Sequence, residues 1–237
     1  MKVLTTESNT MKRFCVLLFV AVFVFVFSIA QLLSGVANAG EEYIIDVSVD
    51  TKIDSLSPNE SFEGDNFMYC GGTPVWSWRG MLYYDLSSLP PDIQILSATW
   101  FIYACGYEFG TPHDFALYKI TENWIDQDPD TWTWNNYLDS YEGNPQLIHE
   151  CINDYPDGPS WYQFPFQDLT LLQEWADNPD TNYGFMWKMD DEFTDDVSSQ
   201  TTLYTVESIY FMSHLSICNY YQDIQPTSLG VIKALFQ

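Results

Sequence analysis

From residue 41 onward, apolar and polar side chains alternate in short stretches separated by clusters of Asp, Asn, Gly and Pro. That is the pattern of many strands turning back on one another, in a sandwich or a barrel. In "WRGMLYYDL" at 78–86, alternation sends Gly80, Leu82, Tyr84 and Leu86 to one face and Arg79, Met81, Tyr83 and Asp85 to the other. Beyond a Ser-Ser-Leu-Pro-Pro hinge, Ala98, Trp100, Ile102 and Ala104 share a face with the same period. Two such strands can each press one face on a common core. The same reading predicts strands at 44–49, 67–70, 80–85, 98–103, 114–119, 162–165, 184–188 and 213–221. One stretch departs from it. "FQDLTLLQEWA" at 166–176 spaces Leu169, Leu172 and Trp175 by three, behind Asp168 as N-cap, and predicts a short helix. No internal repeat or low-complexity linker interrupts the chain, so one domain over 41–221 is the simplest account, with a tail at 222–237.

The first 39 residues follow a different pattern. Met11-Lys12-Arg13 is basic, 15–30 is almost wholly apolar, and 31–40 ends in the small-x-small signature Ala37-Asn38-Ala39. This predicts a signal peptide over 1–39, cleaved after Ala39, and hence a secreted or cell-surface protein. An uncleaved anchor is the competing reading, because the apolar run through Leu33 nearly reaches the ~20 residues of a spanning helix. Cys15 stands at the wrong end of that run for lipidation.

Charge narrows the partners. The whole chain carries −25, and its leader removes Lys2, Lys12 and Arg13 but only one acid, Glu7, so the remainder is more acidic still. Nucleic acid is excluded as a partner, since binding it takes Lys and Arg to displace phosphate counterions. Anionic lipid surfaces are disfavoured for the same reason, so no membrane contact beyond the leader is expected. Disorder does not follow from the charge, because 17% of the residues are aromatic and can build a large core. Cys70, Cys105, Cys151 and Cys218 follow the leader. In an oxidising compartment they allow two bridges in three connectivities; as thiols they serve equally as small core residues.

Motifs for catalysis are scarce. His113, His149 and His214 have no partner at zinc-protease spacing. There is no Gly-x-Ser-x-Gly elbow, phosphate-cradling loop or Cys-x-x-Cys pair. A glycosidase needs only two facing carboxylates, so a hydrolase stays as the alternative to a non-catalytic protein. Acidic loops offer oxygen ligands for a structural Ca²⁺. "DQDPDTW" places Asp126, Asp128 and Asp130 at alternate positions, and Asp190 and Asp191 form a second cluster, each with a solvated loop as the competing reading. An EF-hand is excluded, because Thr131 stands where its Gly must be and Tyr137 where its Glu must be. Trp76 and Trp78, like Trp132 and Trp134, are i, i+2 pairs that in a strand face one way. Facing outward, such rings make a platform on which the apolar face of a sugar can stack. Trp76, read as a loop residue, is the exposed candidate, with Trp161 and Tyr162 as further ones.

Five blocks in order carry a likeness. They are "DTKIDSLSPNESFEGDNFMYCGG" at 50–72, "RGMLYYDLSSLP" at 79–90, "ILSATWFIYA" at 95–104, "LYKITENWIDQDPDTWTWNN" at 117–136 and "FQDLTLLQEWADNPDTNYGFMWK" at 166–188. The chain resembles the secreted DNRLRE domains, close to the jelly-roll carbohydrate-binding modules of disaggregatase-related proteins. The hexapeptide that names the family is missing, and 137–160 and 192–207 look like insertions. The resemblance implies an all-β, antiparallel sandwich of jelly-roll type with one short helix and no catalytic machinery. It also implies binding of polysaccharide or another cell-surface component, or a purely structural, adhesive role. Arg79, Asp85, Trp134, Asp168 and Trp175 fall on its pattern as structural residues, Arg79 pairing with a carboxylate or loop carbonyls. A structural calcium site predicts that millimolar Ca²⁺ raises the melting temperature in thermal unfolding; no shift argues against one.

Overall fold

In the computed structural model, residues 40–108, 114–150, 159–193, 199–205 and 212–219 are described, with backbone alone at 105–108, 150 and 199. The chain divides into units Met1–Gly40 and Glu41–Gln237, and the strands belong to the second. The expected signal peptide and the tail lie outside the described residues. Among the described residues no helix is long and apolar enough to cross a membrane.

Among the described residues eleven strands pair, all antiparallel. They are β1 (Glu42–Asp46), β2 (Val49–Asp54), β3 (Phe67–Thr73), β4 (Trp76–Tyr83), β5 (Ser97–Glu108) and β6 (Asp114–Ile120). The rest are β7 (Tyr141–Glu150), β8 (Ser160–Pro165), β9 (Phe185–Met189), β10 (Ser199–Tyr204) and β11 (His214–Cys218). One layer runs β1-β11-β5-β8. The other runs β2-β4-β9-β6-β7. Strands far apart in sequence thus lie side by side, β4 beside β9 and β5 beside β11, the interleaving of a jelly roll. Two strands join the layers. β10 takes the half of β5 that β11 leaves open, β3 pairs with β10, and Gly71–Thr73 of β3 pairs with the start of β4.

Between the layers, Leu82, Phe115, Leu117, Phe185 and Trp187 face Met68, Ala98, Trp100, Ile102, Leu215 and Ile217. The expected inward sets of β4 and β5 are there, because period two leaves each strand one face to bury. Helix α2 (Thr170–Asp177) closes this core with Leu172 and Trp175, the latter ring 4.8 Å from Phe185. Polar tips that enter it are matched: Trp100 Nε1 donates to Tyr84 Oη at 2.7 Å, which lies 2.5 Å from Ser213 Oγ. Asp168 Oδ1 accepts from Thr170 N at 2.9 Å, and the Thr170 hydroxyl together with this backbone bond holds its carboxyl below the usual range. Asp85 caps the turn after β4, accepting from Ser87 N at 2.9 Å.

The outer face of the β2-β4-β9-β6 layer is buried too. Residues 121–140, including the short helix α1 (Trp134–Tyr137), lay Trp124, Trp132, Trp134 and Tyr137 over Ile53, Met81, Tyr118, Ile120 and Met186. Trp132 and Trp134, an i, i+2 pair along the chain, do not stand on a strand. The first ends a 3-10 turn and the second opens α1, because Pro129 and the capping carboxylate of Asp128 start a helical turn there. Both are buried all the same.

Arg79 lies under this lid, 4% exposed. Its Nε and Nη2 donate to the two Glu192 oxygens at 2.9 and 2.7 Å, Nη1 donates to the Leu138 carbonyl, and Trp134 covers the guanidinium at 4.4 Å. Ser77 Oγ donates to Glu192 at 2.6 Å, and Lys188 Nζ is 3.8 Å from the same carboxylate. Burial pushes Lys188 below the ordinary lysine range, with Glu192 opposing that shift.

Three expectations need revising. The stretch at 44–49 holds the end of one strand and the start of another, broken at 47–48. Trp76 opens β4 and does not lie in a loop. The stretches taken as insertions supply β7, β10 and Glu192, all integral to the fold. Removing one partner of a buried pair leaves the other charge desolvated. Arg79→Ala is therefore expected to lose about 3–5 kcal/mol in denaturant unfolding. Arg79→Lys should restore little of it, having no fork to meet both oxygens.

Candidate functional site

Among the described residues, no segment is laid over the outer face of the β1-β11-β5-β8 layer as 121–140 is over the other. Where Trp100 and Ile102 point into the core, Phe101 and Tyr103 point out, and the neighbouring strands place rings beside them. Register fixes the arrangement. Trp161 of β8 is opposite Tyr103, and Tyr204 of β10 is opposite Phe67 of β3. β10 and β5 pair up to Leu203 and Ala104, which puts Tyr204 beside Tyr103. The result is one row, Trp161–Tyr103–Tyr204–Phe67, across four strands, with successive centroids 5.5, 5.4 and 5.0 Å apart. Its rings are tilted to one another by 64°, 49° and 56°, and they are half-buried except Phe67, which is 40% exposed.

A second row runs parallel to it: Gln163, Phe101, His214 and Asp46, paired in turn through β8, β5, β11 and β1. His214 stacks on Phe101 at 4.8 Å and 11°, and Trp161 leans over to within 5.6 Å of it. Burial lowers the imidazole pKa from its ordinary 6.5, with Asp46 pulling the other way. The face therefore combines apolar ring surfaces with an amide, a neutral imidazole and a carboxylate. That is the equipment for stacking a polar ring and hydrogen-bonding its hydroxyls.

The sequence candidates divide. Trp161 is in the row. Tyr162, one residue on, turns the other way and packs on the core, because alternation lets only one of two neighbours face out. Trp76 packs on Trp78 at 4.2 Å, and Trp78 on Tyr69 at 5.3 Å, so this trio continues the aromatic surface from β3 onto the start of β4. Phe67, Phe101, Tyr103, Tyr204 and His214 escaped the sequence reading, since no local motif links residues so far apart. The available signal was their parity, opposite to the inward residues of the same strands.

Asp126, Asp128 and Asp190 among the acidic candidates make local hydrogen bonds. Asp126 Oδ2 accepts from Asn123 Nδ2 at 2.8 Å, Asp128 Oδ1 caps Asp130 N at 3.1 Å, and Asp130 is exposed. Asp190 Oδ1 accepts from Tyr118 Oη at 2.6 Å, which with burial drives that phenol above its ordinary pKa, while Asp191 is exposed. Among the described residues no three His, Cys, Asp or Glu side chains converge as a metal site. Cys70 Sγ donates to the Trp187 carbonyl at 3.3 Å and Cys218 is a buried thiol. The Cys105 side chain and Cys151 lie outside the described residues.

A histidine whose folded pKa is depressed contributes stability above its unfolded value of 6.5 that is lost as pH falls through the folded value. His214→Phe is thus expected to narrow the loss of melting temperature between about pH 7.5 and about pH 5, measured beside the parent chain. The chain matches no protein-family model and no curated protein.

Proposed function

We propose that this protein is a non-catalytic, secreted or surface-held module that binds polysaccharide on the aromatic face of its β1-β11-β5-β8 layer. The row Trp161–Tyr103–Tyr204–Phe67 carries the reading. Half-exposed rings in register on neighbouring strands leave apolar surface in water that a sugar's apolar face can cover. The polar row beside it supplies Gln163, His214 and Asp46 for the hydroxyls. The likeness to DNRLRE domains and to jelly-roll carbohydrate-binding modules points the same way. It implies a module that works outside the cell, in keeping with the leader.

The reading is tested by screening the full chain on a glycan array, with and without Ca²⁺. Ligands are expected among uncharged or amino-bearing glycans, with acidic ones repelled by the −25 charge. Trp161→Ala and Tyr103→Ala should each weaken a hit by roughly 1–3 kcal/mol, the size of base-on-ring stacking, with the circular dichroism of the fold retained. Trp76→Ala shows whether the ligand reaches the β3–β4 corner. A blank array, or hits indifferent to these substitutions, would instead favour a structural surface subunit.

A further inference from the structure

We infer that the aromatic face takes a polycationic glycan, a polymer of amino sugars with free amines, in preference to its neutral counterpart. The inference rests on the polysaccharide reading above and deepens it. It starts from where the charges lie. Among the described residues the cations are Lys52, Arg79, Lys119 and Lys188. Each is ion-paired to a carboxylate: Lys52 to Asp65 at 2.6 Å, Arg79 to Glu192 at 2.7 Å, Lys119 to Glu142 and Glu174 at 3.4 Å, and Lys188 to Glu192 at 3.8 Å. All four stand on β2, β4, β6 and β9, in the other layer.

The strands that build the aromatic face, β1, β3, β5, β8, β10 and β11, contain no Lys or Arg. Their charged residues are Glu42, Asp46 and Glu108, with His214 held toward its neutral form by burial. Asp46 ends the polar row opposite His214, and Glu42 lies four residues away on the same strand face, where its Oε1 accepts from Ser216 Oγ at 2.6 Å. A ligand lying along the rings therefore meets π faces, which attract cations, with the carboxylates of the neighbouring row to one side. Around it stands a surface whose described positive charge is already neutralised. Such a field concentrates polycations and repels polyanions.

A sugar fits this charge pattern better than a basic peptide does. The row presents one ring per strand, with successive centroids 5.5, 5.4 and 5.0 Å apart, close to the length of one pyranose unit. A saccharide chain laid across the strands could place successive rings on successive aromatics.

The test is calorimetric titration of the full chain with two hexasaccharides of the same β-linked glucosamine backbone. One is fully N-acetylated and the other fully deacetylated, at a pH where the amines are charged. A lysine-rich peptide of equal charge is the third ligand. The deacetylated oligomer is expected to bind about tenfold tighter or more at low salt, with the advantage shrinking as salt screens it. Asp46→Asn should cut that advantage about two- to fivefold, the range of an exposed ion pair, weakening the deacetylated oligomer more than the acetylated one. Trp161→Ala should weaken both oligomers. Equal or tighter binding of the acetylated form overturns the inference and leaves the platform standing. The inference also falls if the peptide binds as well as the deacetylated oligomer and ignores Trp161→Ala, since the field alone is then responsible. Failure of both oligomers and of every neutral glycan on the array sinks the platform as well.

Discussion

The constraint on which this fold turns is the removal of Arg79 from water. A guanidinium cannot be stripped of solvent without a carboxylate and acceptors that meet its fork. Here Glu192, the Leu138 carbonyl and the Trp134 ring together do so. These three come from different parts of the chain: the loop after β9, the turn after α1, and α1 itself. Holding the charge therefore fixes the lid of residues 121–140 onto the sheet and ties the segment after β9 back across β4. Lys188 and Ser77 share the same carboxylate, so the arrangement is a network and not an isolated pair.

That network makes the two layers unequal. The β2-β4-β9-β6 layer is buried on both faces, so its outward residues, Met81, Tyr118 and Met186, are as apolar as its inward ones. The β1-β11-β5-β8 layer buries one face and leaves the other half in water, carrying rings where alternation usually leaves polar side chains. An exposed face of that composition costs solubility unless something else offsets it, and the large negative charge of the chain is suited to that. The lidded layer also takes in all four described cations, which leaves the open layer its acids. Structural and candidate binding roles are thus divided between two outer faces of one curled sheet.

Much of the fold was legible in the chain. The inward sets Leu82, Tyr84 and Trp100, Ile102 are buried where alternation placed them, and the helix at Leu172 and Trp175 forms next to Asp168 as its spacing requires. β7 and β10 escaped because their sequences, "YEGNPQLIHE" and "SQTTLY", hold few large apolar residues at period two. β10 is central by pairing, with β3 on one side and β5 on the other, and pairing through backbone groups leaves little mark on side-chain pattern. Of the candidate site, Trp161 was named from sequence, while its neighbours were not.

The sequence by itself determined the strand period, the all-β class, the excess of acid and the surplus of aromatic residues, because each of these is local or additive along the chain. It could not say which rings would meet. Residues 67, 103, 161 and 204 become neighbours only through antiparallel register across β3, β10, β5 and β8. Nor did local pattern alone separate Trp134, sealed under a lid by a buried ion pair, from Trp161, left at the surface; only the family resemblance set Trp134 apart as structural. Both are tryptophans in polar surroundings along the chain, and only the packing of distant segments decides which of them water can reach.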